Sequence, residues 1–530
     1  MKSKVIFLTS LILSVFFSAQ QVVSGYVFED SNKNLIKDRR EKGIATVAVS
    51  NGIDVVLTDQ NGKYTIPVLD DTTIFVIKPE NYTTQVNEDQ LPQFYYHHKP
   101  NGSPAHFQYK GTAPTGKLPA EMNFPLYRSA ENKDFKIIVF GDPQPYTLKE
   151  IDYFRRGIIN EVKNNQKNAV FGISLGDLVG DNLDLHQTYI QSVKEIGLPW
   201  YNVMGNHDMN YEAKEDRYSD ETFEANFGPA NYAFNYGNVH FMILDNILYP
   251  DPRDDKGYWG GFREDQLRFI ENNLKLVDKN KLVVVSFHIQ MMAERAGDDH
   301  FRLEDRKKLF DLLKPFKNVL MMSAHTHKQR QIFYGKKEGW EGEGELHELN
   351  MGTTSGDWYS GKADETGVPV SVMRDGTYRG YSYVSFKDNQ YEVQYKVAGK
   401  PEDFMIQLHI PKVIPHQSRT SARLYANFFT GSEKDAVEFR IDKGDWKKMN
   451  FINTFDPAYM LSVFEWDSME QFPAGRRPSN PELSSHIWNA AFPRDLALGK
   501  HIVEVRATDR YGKTFTASES FEVQMPVPIP

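Results

Sequence analysis

Carboxylate, amide and imidazole side chains cluster at five places between residues 142 and 327. They are Asp142 and Gln144 in Gly-Asp-Pro-Gln, Asp177 in Gly-Asp, Asn206-His207-Asp208 after Gly205, His288 after Phe287, and His325 and His327 in Ala-His-Thr-His. A further acid, Asp181, follows the second of them. Brought to one place, these groups would form a cage for two divalent cations. Such a pair, about 3.5–4 Å apart, can activate water and hold the oxygens of an anionic ester through a displacement. Mixed oxygen and imidazole donors favour Mn, Fe or Zn over Ca, and the chain has no cysteine to offer a thiolate. A lone Gly-Asp or His-x-His says little, since a turn aspartate or a strand-end histidine explains either one. The informative feature is the ordered set.

Each cluster ends or follows an apolar run: 136–140, 169–175, 200–204, 282–287 and 318–323. Helix-like periodicity over 148–163, 264–276 and 303–313 alternates with these runs, which predicts an α/β mixture with mostly buried strands. Ligands of such sheets gather outside the strand ends, so residues far apart in sequence can converge there.

The series resembles the calcineurin-like metallophosphoesterase superfamily, whose pattern runs D-x-H, G-D, G-N-H-D/E, H, G-H-x-H, and the resemblance spans about residues 134 to 400. It implies an α/β catalytic core of four layers, α/β/β/α. It also implies that Asp142, Gln144, Asp177 and His327 hold one metal and that Asp177, Asn206, His288 and His325 hold the other, with Asp177 bridging. His207 would be the catalytic histidine, oriented by Asp181 or Asp208, and a hydroxide between the metals would attack phosphorus. Two positions depart from the pattern: Gln144 stands where histidine is usual and Ala324 where glycine is usual. An amide oxygen donates less than an imidazole, so weaker binding is expected at that metal position. Gly176 to Asp184 contains no arginine or lysine, which leans the expectation from phosphomonoesters towards phosphodiesters of small molecules or lipids; Arg263 and Arg330 are the remaining candidates, and neither position is diagnostic. The competing reading is a binding protein of the cell envelope with a decayed phosphoesterase core.

The flanks have a different texture. Residues 20–130 and 401–530 carry short β-like runs between turn residues, which predicts two small all-β sandwiches around a catalytic segment at 131–400. Asp30, Asn32, Asn34, Asp38 and Glu41 have the spacing of a calcium loop, although Leu35 occupies the position of the sharp turn where glycine is usual. The aromatic-rich stretch 93–102 reads as a loop that seals against the catalytic segment. Lys2 and Lys4, the apolar run 5–17 and Ser18-Ala19 have the layout of a signal peptide over residues 1–19, which places the protein in the periplasm or outside the cell. No other segment reaches the ~18 apolar residues of a membrane span. A net charge of −9 argues against general nucleic-acid binding. The sequence leaves the oligomeric state open.

Overall fold

The computed structural model describes residues 21–295 and 297–527, so the leader expected at residues 1–19 lies outside the described residues. Two sheets face each other at the centre. The first runs Trp200–Asn202, Phe171–Ser174, Asp134–Phe140, Gly380–Lys387, Gln390–Val397, its first three strands parallel and its last two antiparallel. The second runs Tyr232–Tyr236, Val239–Ile243, Leu282–Ser286, Asn318–Ser323, Leu346–Asn350, Arg330–Tyr334, with four parallel strands between two antiparallel edges. Leu282–Ser286 is buried at every residue, as a parallel strand covered on both faces must be.

Aromatic rings form the seam between the sheets. Phe171 of the first meets Phe234 and Phe241 of the second edge-on at 5.5 and 5.4 Å. Helices cover both outer faces. Phe154 of Leu148–Phe154 packs on Phe140 at 5.9 Å and stacks on Tyr189 of His186–Lys194 at 6.0 Å. On the other side Asn273 of Glu264–Leu274 donates to His240 at 2.8 Å, and Phe310 of Leu303–Leu313 packs on Tyr334 at 5.0 Å. The core therefore has the four α/β/β/α layers expected. The helix predicted over 148–163 is present but widens into a π-helical turn at Arg155–Ile159. The Arg379 guanidinium donates to the Gly157 carbonyl there at 3.1 Å.

Ahead of this core lie two four-stranded sheets. One is ordered Lys63–Pro67, Val22–Glu29, Phe124–Arg128, Tyr82–Thr83, and the other Val55–Leu57, Ala48–Ser50, Thr72–Ile77, Tyr95–His98. Lys63–Pro67 alternates outward Lys63 and Thr65 with inward Tyr64 and Ile66, the period of a half-buried strand. The sandwich is not wholly antiparallel, because Phe124–Arg128 returns parallel to Val22–Glu29. The stretch 93–102 is also not simply a loop, since Tyr95–His98 pairs with Thr72–Ile77. Its sealing role does hold. Buried Lys99 forms ion pairs with Asp71 at 2.7 Å and with Glu221 and Glu224 of the core helix Glu221–Phe227 at 2.9 and 3.1 Å.

The oxygen-rich turn after Val22–Glu29 closes on itself. Asp30 accepts from the Lys33 and Leu35 amides at 2.7 and 2.9 Å, the Asn32 and Asn34 side chains donate to Asp38, and Glu41 accepts from Ser31 and Asp38. Leu35 holds φ at 65°, the left-handed conformation that glycine would adopt freely.

After the core come sheets ordered Ile406–His409, Arg423–Phe428, Leu483–Ala491, Asn450–Phe455 and Val413–Pro415, Thr514–Gln524, Gly499–Thr508, Ala436–Ile441, Lys447–Lys448. A helix at Pro457–Asp467, absent from the sequence expectations, is inserted between Asn450–Phe455 and Leu483–Ala491. Among the described residues no helix is long and apolar enough to cross a membrane.

Candidate metal centre

Every predicted ligand lies just past the end of a central strand. Asp142 and Gln144 follow Asp134–Phe140, Asp177 follows Phe171–Ser174, and Asn206 follows Trp200–Asn202. From the facing sheet, His288 follows Leu282–Ser286, and His325 and His327 follow Asn318–Ser323. The backbone bends sharply to aim them. Asp142, Gln144, Asp177, Asp181, His325 and His327 have φ of 30°, 37°, 49°, 60°, 72° and 51°. Each such non-glycine conformation costs about 1–3 kcal/mol, and such strain clusters at functional sites. The neighbouring glycines are required by close approach. A Cβ on Gly176 would lie 2.5 Å from His288 Nδ1, and one on Gly205 would lie 2.2 Å from an Asp177 carboxylate oxygen. Ala324 is tolerated because it has no left-handed φ to adopt; that conformation falls on His325 and His327 instead.

All seven expected ligands converge. Asp177, His288 and His325 present ligand atoms that all lie within 4.8 Å of one another. His288 Nε2 lies 3.1 Å from Asn206 Oδ1, 3.2 Å from His325 Nδ1 and 3.3 Å from Asp177 Oδ2. On the other side His327 Nε2 lies 2.7 Å from Gln144 Oε1 and 3.7 Å from Asp142 Oδ1, and Gln144 Nε2 lies 3.2 Å from Asp177 Oδ2.

Hydrogen bonding at the far side of the rings fixes their tautomers. His288 Nδ1 donates to the Leu175 carbonyl at 2.8 Å, and His327 Nδ1 donates to the Gly356 carbonyl at 2.7 Å. In the neutral rings both Nε2 atoms therefore carry lone pairs, and these point at other acceptors. Buried acceptors facing one another call for a cation between them. Charge leads to the same conclusion. Burial raises the Asp142 pKa to about 8, with Asp177 adding to the rise, so without a cation one of the two acids stays protonated. Burial resists charge on His288, but Asp177 outweighs it and pushes the pKa up to about 9; burial lowers His325 and His327 to about 3. The donor set fits divalent metals.

A consequence for metal uptake follows. A cation binding beside His288 must displace its proton, so affinity should rise with pH towards about 9. Calorimetric Mn²⁺ titrations of the metal-free protein at pH 6, 7.5 and 9 should show tighter binding and proton release. Affinity that is flat or falls over this range contradicts the assignment.

His207 lies apart from the buried ligands, with its side chain 24% exposed. Its Nδ1 lies 2.6 Å from Asp181 Oδ1, its Nε2 lies 4.0 Å from Asp177, and its backbone N–H donates to Asp177 at 2.9 Å. Burial opposes charge on the ring, yet the Asp177 and Asp181 carboxylates prevail and raise its pKa to about 9. The sequence left the orienting carboxylate open between Asp181 and Asp208. Asp208 does not take that place. It is fully buried and accepts from the Leu178, Val179 and Gly205 amides at 3.1, 3.3 and 2.9 Å and from His186 Nε2 at 3.1 Å. Through these bonds its carboxyl group ties the loops of two motifs together.

The rim is aromatic, and most of it escaped the sequence analysis. Tyr146 meets His207 edge-on at 6.0 Å, the Tyr211 hydroxyl lies 3.1 Å from Asp181, and Tyr258 meets His325 at 6.1 Å. Tyr146, two residues beyond Gln144, was the one with a local signal. Trp358 stacks on His327 at 4.1 Å and donates its indole N–H to Gln144 Oε1 at 2.6 Å. Gln144 thus has a donor that fixes its amide, as a carboxylate bonded to the ring N–H would fix a histidine.

Three family models match the chain: calcineurin-like phosphoesterase over residues 135–329, its N-terminal part over 30–114 and its C-terminal part over 348–515. Among solved structures the chain is similar to a dimetal phosphatase from Danio rerio, 13% identical with a TM-score of 0.34, covering 49% of this chain and 95% of that one. It is also similar to a purple acid phosphatase from yellow lupin (Lupinus luteus) seeds, 13% identical with a TM-score of 0.36, covering 67% of each. Among curated proteins, serine-aspartate repeat-containing protein F of Staphylococcus epidermidis is 46% identical over 69 residues, 12% of this chain. The match spans only 4% of that relative's length. With matched segments reaching from residue 30 to residue 515 and the metal-type cluster inside the central one, the chain belongs to the calcineurin-like phosphoesterases.

Proposed function

We propose that this protein hydrolyses phosphate esters at a two-metal centre held by Asp142, Gln144, Asp177 and His327 on one side and by Asp177, Asn206, His288 and His325 on the other. The observation that carries this reading is the convergence of buried ligand atoms of His288, His327, Asn206, Gln144 and Asp177 on one another. When bound, divalent metals at such a site act as Lewis acids towards phosphoryl oxygens and lower the pKa of water.

The chain's own residues supply the rest. His207, charged at neutral pH through Asp177 and Asp181, holds a proton at Nε2 while Asp181 keeps Nδ1 engaged. That proton is placed to reach a departing alcohol oxygen. Asp208 keeps the two motif loops in register, and Tyr146 and Tyr258 pack edge-on against His207 and His325.

The expected preference for phosphodiesters rested on the lack of an arginine beside the Gly-Asp motif. That argument weakens once distant segments are folded in, because Trp358 at the rim carries two guanidinium groups over its ring. The test is hydrolysis of 4-nitrophenyl phosphate and its bis-ester by chelator-stripped protein reloaded with Mn²⁺, Fe²⁺ or Zn²⁺. Turnover that appears only after reloading is expected. No turnover of either ester with any of the three metals overturns the proposal.

A further inference from the structure

We propose that Arg476, delivered by the C-terminal segment, is the substrate-binding cation of this centre and selects phosphomonoester dianions; the proposal rests on the phosphoesterase reading above. Two observations place Arg476 at the rim. Its guanidinium lies 5.1 Å from the centre of the Trp358 ring, and that ring stacks on His327. Its loop is pinned to the one that carries Trp358: the Gly361 N–H donates to the Arg476 carbonyl at 2.9 Å, and the Ser479 N–H donates to Asp357 at 2.7 Å. The guanidinium therefore rests on the ring that packs against His327, on a loop with little freedom to withdraw.

The other arginines nearby have other partners. Arg374, also over Trp358 at 5.4 Å, pairs with Glu482 and donates to the Thr326 carbonyl. Arg477 pairs with Asp467 and Asn480. Arg476 alone of the three forms no ion pair among the described residues. The two arginines considered from sequence are also committed elsewhere. Arg263 is engaged with Asp216, Asp245 and Asp265, and Arg330 lines a separate cleft with Glu294, Lys328 and Glu482.

An exposed guanidinium resting on an indole face keeps its donors for a ligand while the ring restrains its position. A phosphomonoester at neutral pH is a dianion with three terminal oxygens. A phosphodiester is a monoanion with two, its third place taken by a second alcohol. Two bound metals would account for two terminal oxygens, and the third, which only the monoester has, is the one a rim guanidinium would take.

The experiment compares wild type, Arg476→Ala and Arg476→Lys, each metal-reloaded, on 4-nitrophenyl phosphate and its bis-ester, with calorimetric binding of inorganic phosphate and metal analysis alongside. Loss of a charge-assisted hydrogen bond should lower kcat/KM for the monoester about 10- to 100-fold in Arg476→Ala. The loss should come mainly through KM, with a much smaller loss on the diester, weaker phosphate binding and unchanged metal content, and lysine should restore part of it. Equal losses on both esters, no loss on either, or loss of metal from Arg476→Ala overturns the assignment. If wild type turns over neither ester, the phosphoesterase reading itself has failed, and unchanged phosphate binding by Arg476→Ala would then overturn the arginine's role separately.

Discussion

Replacing His207 with alanine should lower turnover by about 10²–10⁴-fold while the metal content stays at its wild-type value. The two halves of this expectation come from one geometry. His207 stands outside the mutually facing ligands, 4.0 Å from Asp177 through Nε2, with Nδ1 engaged by Asp181 at 2.6 Å. Its removal takes away a proton donor and leaves Asp142, Gln144, Asn206, His288, His325 and His327 in place. Metal loss in His207→Ala would make the residue a ligand instead. The pH profile adds a second check. A general acid works while it keeps its proton, so activity should fall as pH rises through the His207 pKa. Asp181 is one of the carboxylates that hold that pKa up, so Asp181→Asn should move the fall to lower pH. A profile that Asp181→Asn leaves in place would remove Asp181 from the mechanism.

Asp177→Asn should have the larger effect, emptying both metal positions. Asparagine keeps the shape and discards the charge. Asp177 is the carboxylate common to both ligand sets, and although burial opposes its charge, His288 and His207 hold its pKa well below the usual carboxylate range. Loss of a group that merely supports a ligand costs about 10–100-fold in metal affinity, and losing the shared ligand should exceed that at each position. Turnover should fall at least as far as in His207→Ala. Metal analysis after dialysis, with circular dichroism to confirm folding, checks it. Two metals retained by a folded Asp177→Asn protein would show that Asp177 does not bridge.

The central fold and the side chains that converge beyond its strands could be read from the sequence because their signals are local. An apolar run followed by Gly-Asp or Gly-Asn-His-Asp fixes both a strand and what lies at its end, and Gly176 and Gly205 belong to the pattern because no Cβ fits beside His288 and Asp177. Choosing between Asp181 and Asp208 required three-dimensional structure. Both are close to the motifs in sequence, but only the folded turn at Asp181 (φ 60°) brings its carboxylate to His207, while backbone amides bind Asp208. Arg476 carried no local signal at all. It follows His327 by well over a hundred residues, in a Gly-Arg-Arg-Pro stretch that resembles any solvated turn. The helix Pro457–Asp467 escaped for a related reason: it is apolar around most of its circumference, so it lacks the one-sided periodicity that identifies a helix.

Lys99 bears on how such a chain can change by recombination. It sits among the N-terminal strands, yet its ion-pair partners Glu221 and Glu224 belong to the core, and all three are buried. A buried pair that loses one partner leaves an uncompensated charge, at a cost of about 3–5 kcal/mol. Exchange of the N-terminal sandwich for that of a relative would therefore succeed only where the incoming piece also brings a cation to this position. The two segments are physically linked as a unit of inheritance, although each has sheets of its own.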